Sequence, residues 1–94
     1  MSKLLDNDQV EKHLKKIHVE WAVVSGTTLS RVYEFEDFRS ALGFVVKVGE
    51  LAEKADHHPD LELSWGKVVV NITTHAENGL TQLDFDLAAQ IDKL

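Results

Sequence analysis

The chain contains no cysteine, which removes disulfides, thiolate nucleophiles and cysteine metal sites from consideration. Proline occurs once, at Pro59, so every other break in regular structure has to be made by turn residues. Basic residues are scarce: ten Lys and Arg stand against sixteen Asp and Glu, a formal charge of −6. Without a cationic surplus the chain lacks the electrostatic footprint of a nucleic-acid or anionic-membrane binder. No apolar run reaches eighteen residues, and the opening MSKLLDNDQVEKH lacks the apolar centre of a signal peptide. A cytoplasmic chain with no membrane span is therefore expected, in keeping with the missing disulfides.

What is present fits one folded unit over residues 1–94. The chain is 44% hydrophobic and 28% charged, an ordinary globular balance. A chain this short buries only about 60–65% of its unfolded surface, so its core is thin and self-association is an expected remedy.

Asp6, Asn7 and Asp8 offer N-cap side chains, and Val10, Leu14 and Ile17 recur at helical spacing. A first helix is predicted over about residues 8–18. From Trp21 the pattern changes to alternation, and Ser25-Gly26-Thr27 supplies a turn before Leu29, Tyr33 and Phe35, which reads as a β-hairpin. Phe38, Leu42, Val45, Gly49, Ala52 and Ala55 then predict a long helix over about residues 37–56. Phe44, Val48 and Leu51 widen its apolar surface, enough for contact with another subunit or for deep contact with a sheet. The helix must stop near Asp56, because His58, which precedes proline, is disfavoured in the α region. LELSW and KVVVNITTH flank Gly66 as a second hairpin, with Val68, Val70 and Ile72 on one face. A last helix follows Asn78-Gly79, with Leu83, Leu87, Ile91 and Leu94 as its buried stripe. The order α-β-β-α-β-β-α predicts an α+β fold: a four-stranded antiparallel sheet with three helices on one face.

Polar chemistry concentrates in EKADHHPDLELSW, Glu53 to Trp65. His57 and His58 sit where a helix ends, a place where the dipole and nearby acids (Glu53, Asp56, Asp60) favour a protonated imidazole. Imidazole titrates near neutrality, which is what general acid–base chemistry asks for. An adjacent His-His pair before proline is equally at home in a polar loop, and on these residues alone both readings stand. Glu53 lies one helical turn before His57 and is placed to share its face. Trp65 reads as hairpin packing. His13 and His18, five residues apart, fall on different faces of a helix and read as solvated. Asp84 has a structural role available, because LTQLDF makes Thr81 an N-cap and Asp84 the N3 acid of a capping box, with Leu80 and Phe85 as a staple. The same carboxylate could reach the end of the preceding strand and hold His75. A metal site is not expected: two adjacent ligands suit one tetrahedral ion poorly, and no HxH or HxxxH pair occurs.

Taken together, the spacing of Glu53, His57-His58-Pro59, Trp65, His75 and Asp84 resembles the signature of the pterin-4a-carbinolamine dehydratase family. EFEDFRSALGFVVKVGELAEKADHHPD resembles that family's central helix and its exit, and THAENGLTQLDFDLA its closing segment. The likeness runs over about residues 8–94 and makes the chain a single dehydratase-like domain. It implies the fold already read, usually assembled as dimers or tetramers. It also implies an activity, loss of water from 4a-hydroxytetrahydropterin to give quinonoid dihydropterin, with no metal or organic cofactor.

By that resemblance His57, His58, His75 and Asp84 form the catalytic set. His57 and His75 handle protons, His58 orients the substrate, and Asp84 holds His75 or binds the ring. Glu53 tunes His57 or binds substrate, and Pro59, Thr74 and Ala76 line the pocket through backbone groups. Ala76 stands where relatives often carry an acid, which puts a substrate contact there in doubt. The implied partners are the pterin and further copies of the chain, with a functional link to an aromatic amino-acid hydroxylase. Animal members also serve as dimerisation cofactors of a homeodomain transcription factor, so a protein-binding module is the alternative function.

Overall fold

The computed structural model describes residues 3–94. Helix α1 (Asn7–Leu14) is capped by Asp6, whose carboxylate accepts from the Gln9 amide while the Gln9 side chain returns a bond to Asp6. It is one turn shorter than predicted. The chain leaves it through tight bonds from Lys16 N to His13 O and Ile17 N to Leu14 O, and Ile17 still packs on the core. None of its residues is fully buried, and so short a helix cannot hold a further turn by hydrogen bonds alone.

Strands β1 (Ala22–Val24) and β2 (Thr28–Glu34) form the first hairpin. Ser25 and Gly26 both have positive φ, the geometry that matches the right-handed twist of the flanking strands. After helix α2 (Phe38–Ala55), strands β3 (Asp60–Ser64) and β4 (Lys67–Ile72) form the second hairpin. At its turn a side chain on Gly66 would run into the Phe35 carbonyl at 2.8 Å, so only glycine allows the backbones to meet there. The hairpins join through β2 and β4, giving sheet order β1-β2-β4-β3, antiparallel throughout. A short 3-10 turn (His75–Glu77) leads to helix α3 (Gln82–Ile91).

Leu29, Val68, Val70 and Ile72 bring one face of the sheet to the core, where Ala41, Val48 and Ala52 of α2 and Phe85, Leu87, Ala88 and Ile91 of α3 meet them. Of the two readings of the α2 surface, deep contact with the sheet holds for Val48, which is fully buried, with Phe44 and Leu51 packed on the core; Phe38 and Leu42, expected on the main apolar stripe of the helix, are instead exposed with Val46 at a spacing of four. In α3, Leu83 and Leu94 are exposed, and Asp84, Phe85 and Ala88 turn inward with Leu87 and Ile91. The helix is rotated from its expected register because its capping acid, not Leu83, is buried.

Candidate active site

The exit of α2 sets the first histidine. Asp56 takes the left-handed conformation (φ 51°), its amide bonds back to Ala52 and Glu53, and the His57 amide bonds to the Ala52 carbonyl at 3.1 Å. This is a Schellman-type stop, with a short acidic side chain tolerated where glycine is commonest. It fixes the His57 backbone two residues beyond the last helical residue, Ala55. Pro59 then keeps the chain extended into β3.

His57 Nε2 lies 2.6 Å from Asp84 Oδ1, the carboxylate being fully buried and the imidazole 11% exposed. The expected pairing of Asp84 with His75 is replaced by this one. The other carboxylate oxygen, Oδ2, accepts the Thr74 hydroxyl and the Thr81 amide, both at 2.8 Å. Thr74 and Thr81 hydroxyls are themselves 2.8 Å apart, and Thr81 Oγ1 accepts the Leu83 amide. Each hydroxyl has one hydrogen to give. Since Thr74 gives its own to Asp84, Thr81 must donate to Thr74, and all bonds run one way, from the start of α3 to the carboxylate. An ionised carboxylate only accepts, so the imidazole hydrogen sits on Nε2 and Nδ1 is left as the free ring nitrogen.

The remaining pairs lie on the rim. His58 Nε2 meets Glu53 Oε2 at 2.5 Å, both side chains exposed, so Glu53 serves His58 rather than the expected His57. The difference follows from the cap: the left-handed Asp56 carries the chain away from the helix face that Glu53 and His57 would have shared. His75 Nε2 stands 3.9 Å from Asp60 Oδ2, again exposed. His75 opens the 3-10 turn rather than ending a strand.

Three histidine–carboxylate pairs thus hang on the run His57-His58-Pro59-Asp60 and its neighbours. Thr74 closes the ring, joined by its backbone to His75 and by its hydroxyl to Asp84. Its backbone is spent within the chain, on Gly79 and Glu77, so its side chain is what it contributes. Pro59 is half-buried and Ala76 exposed at the rim. The sequence marked Thr81 as a cap; its buried hydroxyl is the unread part. Two threonines flanking a short turn before a capping acid are the signal that could have revealed it.

Other expectations change. Trp65 is 69% exposed and packs no hairpin. His13 is half-buried, stacked on Phe85 with centroids 5.1 Å apart and bonded through both ring nitrogens to Gln9 and Gln82. Its ring is a strut between α1 and α3. Among the described residues no three His, Asp or Glu side chains converge in a way that could hold a metal ion, and no helix is long and apolar enough to cross a membrane.

The family model described as pterin 4 alpha carbinolamine dehydratase matches residues 3–94. A relative from Picosynechococcus sp., provisionally named pterin-4-alpha-carbinolamine dehydratase, is 45% identical over the full length of both chains. One of the same provisional name from Alkaliphilus metalliredigens is 42% identical, covering 95% of this chain and 80% of its own. The crystal structure of a transcriptional coactivator/pterin dehydratase from Brucella melitensis superposes with a TM-score of 0.89 at 33% identity, covering 97% of each chain. A pterin dehydratase-like RuBisCO assembly factor of the alpha-carboxysome shares the fold alone, at 18% identity and a TM-score of 0.68. With the matched model running across the described residues and near-full-length relatives above 40% identity, the chain belongs to the pterin-4-alpha-carbinolamine dehydratase family.

Proposed function

We propose that the chain dehydrates 4a-hydroxytetrahydropterin to quinonoid dihydropterin by histidine acid–base catalysis, without metal or organic cofactor. The observation that carries this is the buried Asp84 behind His57. Loss of water requires a proton on the C4a hydroxyl as the C–O bond breaks and removal of the N5 proton as the C4a–N5 double bond forms. A fixed carboxylate behind an imidazole orients the ring and stabilises the imidazolium that appears when it accepts a proton. His57 is therefore assigned the N5 proton, taken at Nδ1. His75, solvated and beside Asp60, is assigned the proton delivered to the hydroxyl. His58, held by Glu53, orients the ring, with Pro59 and Ala76 on the rim. The released water and the protons balance, and the two histidines exchange their protons through solvent. A cytoplasmic role in recycling the spent pterin of an aromatic amino-acid hydroxylase fits this chemistry.

The experiment supplies the carbinolamine and follows quinonoid formation with and without chelator. Expected is a chelator-insensitive rate that falls about 10²-fold or more in His57→Ala and strongly in His75→Ala. Rates like the parent's in both variants, or loss on chelation, overturn the reading.

A second reading, association through α2, is favoured by one observation. Phe38, Leu42 and Val46 are 44%, 43% and 53% exposed along one stripe. We assign this stripe to contact with further copies of the chain. Val46→Glu is expected to shift sedimentation toward a smaller species; unchanged sedimentation would remove α2 from the interface.

A further inference from the structure

We propose that the segment from Leu4 to His13 braces the first turn of α3 from outside, and that His13 is a positioning residue for the Asp84–His57 pair. This rests on the dehydratase reading above and adds to it a residue that lies outside the three histidine–carboxylate pairs.

Asp84 stands where a helix frays most easily. The first amides of a helix have no intrahelical partners, and Gln82 and Leu83 point to solvent, so their side chains do little to pin the turn. The Thr81 cap holds it from within. A carboxylate that supports a reacting imidazole has to be fixed to about 0.5 Å, which asks for a second hold on the same backbone.

Residues 4–13 supply that hold. The Leu5 amide donates to the Leu80 carbonyl at 2.9 Å, and Leu4 lies so close over Gly79 that a side chain there would meet its Cδ2 at 2.7 Å. Gly79 exchanges backbone bonds with Thr74, at 3.0 and 3.4 Å, and Thr74 gives its hydroxyl to Asp84. His13 grips the helix itself. Its Nδ1 bonds to the Gln9 carbonyl at 2.7 Å, which fixes the ring against α1, and its Nε2 lies 2.6 Å from Gln82 Oε1. Gln82 is held in turn, because its amide nitrogen donates to Asp86 Oδ1 at 2.8 Å. The same imidazole stacks on Phe85, the neighbour of Asp84. Contacts to Gly79, Leu80, Gln82 and Phe85 thus bracket Thr81 and Asp84, the two fully buried polar residues of the turn.

Helix α1 has no fully buried side chain, so its part in the core is small beside its grip on α3. Releasing that grip leaves the fold in place and lets the Asp84 carboxylate wander under His57. A misplacement of about 1 Å costs up to about 10²-fold in rate, and a partial loosening costs less.

The test measures kcat and KM separately in His13→Ala, His13→Phe and Gln82→Ala, each checked for folding by circular dichroism. Proton–nitrogen correlation spectra of the His57 ring report which nitrogen carries its hydrogen. Asp92→Asn, at the far end of α3, is the control for lost stability alone. His13→Ala is expected to lower kcat about three- to tenfold with KM within about twofold, and to spread the His57 hydrogen over both ring nitrogens. His13→Phe, which keeps the stack and loses the bonds, is expected to fall between that variant and the parent. Gln82→Ala changes an exposed residue and removes one bond, so it is expected to move both readouts the same way by less. Unmoved His57 spectra in folded His13→Ala overturn the brace, whatever the rate. Should that variant fail to fold, unmoved spectra in both His13→Phe and Gln82→Ala overturn it. An equal spectral change in Asp92→Asn also overturns it, by assigning the effect to stability. Absence of turnover in the parent overturns the dehydratase reading instead, and the His57 spectra then decide the brace by themselves.

Discussion

Helix α3 carries a triply bonded carboxylate at each end. Asp84, in its first turn, accepts from His57, Thr74 and the Thr81 amide. Asp92, at its C-cap, accepts from the Trp21 indole at 2.9 Å, the Arg31 guanidinium at 3.0 Å and the His18 amide at 2.9 Å. The counts are equal and the consequences differ. Indole and guanidinium are permanent donors across the working pH range, so Asp92 can only hold things together: it ties α3 to the hairpin and to the chain leaving α1. Asp84 faces an imidazole, which can take up and release a proton, with its other nitrogen free. The helix dipole adds to the contrast, favouring a negative charge at Asp84 and opposing one at Asp92, where Arg31 offsets it. The two acids thus differ in whether a partner can exchange a proton, which is the property the proposed catalytic role of Asp84 rests on.

The sharpest way to break the comparison is to neutralise each acid. Asp84→Asn keeps shape and cap but can no longer stabilise an imidazolium. A fall in kcat/KM of about 10²-fold or more is expected, with the fold retained by circular dichroism. Asp92→Asn is expected to do the reverse. It leaves Arg31, only 12% exposed, facing a neutral amide and costs about 2–4 kcal/mol in denaturant unfolding, with kcat/KM of the folded fraction within about threefold of the parent. Should Asp92→Asn abolish turnover while Asp84→Asn leaves it intact, the division between the two ends is wrong.

How these ends looked in the sequence explains what was legible. Alternation of Val68, Val70 and Ile72, the Ser25-Gly26 turn and the Asp6 and Thr81 caps express local rules, and the elements form where those rules place them. Asp84 was visible as a capping acid. Its partner was not, since a choice between His57 and His75 depends on where two remote segments meet, and that is set by the Schellman stop at Asp56. Leu83 misled because an apolar residue beside an acid suggests that the apolar one is inside. Asp92 and Arg31 gave no signal at all: an acid near a C-terminus and an arginine in a strand look like surface until the sheet and helix are docked.

A smaller effect separates Asp84 from the hydroxyl chain that supports it. Thr81→Val keeps the amide that bonds Asp84 and removes the hydroxyl that serves Leu83 and Thr74. A loss of about 1–2 kcal/mol in stability and of about three- to tenfold in kcat/KM is expected, both largely recovered in Thr81→Ser. Equal loss in the serine and valine variants would show that the methyl packing matters and not the hydroxyl.

The smallest effect belongs to the Asp92 end and is read in pH. The Arg31 guanidinium lies over the Tyr33 ring, 4.4 Å from its centroid, and the Tyr33 hydroxyl is buried without a protein partner. Burial pushes the phenol from its ordinary 10.0 up to about 12; Arg31 opposes the shift, while Asp92 and Glu20 add to it. The unfolded chain therefore gives up this proton near pH 10, whereas the folded chain keeps it until about 12. Between those values the unfolded state binds fewer protons, so the contribution is full below pH 10 and is lost as pH rises through the window. Tyr33→Phe removes the titration and leaves no hydroxyl to satisfy. Its melting temperature is expected to match the parent's within a few degrees at pH 8 and to fall less steeply above pH 10. Parallel melting curves for the two proteins from pH 10 to 12 would mean that water reaches the phenol and that this end of α3 is looser than the end that holds His57.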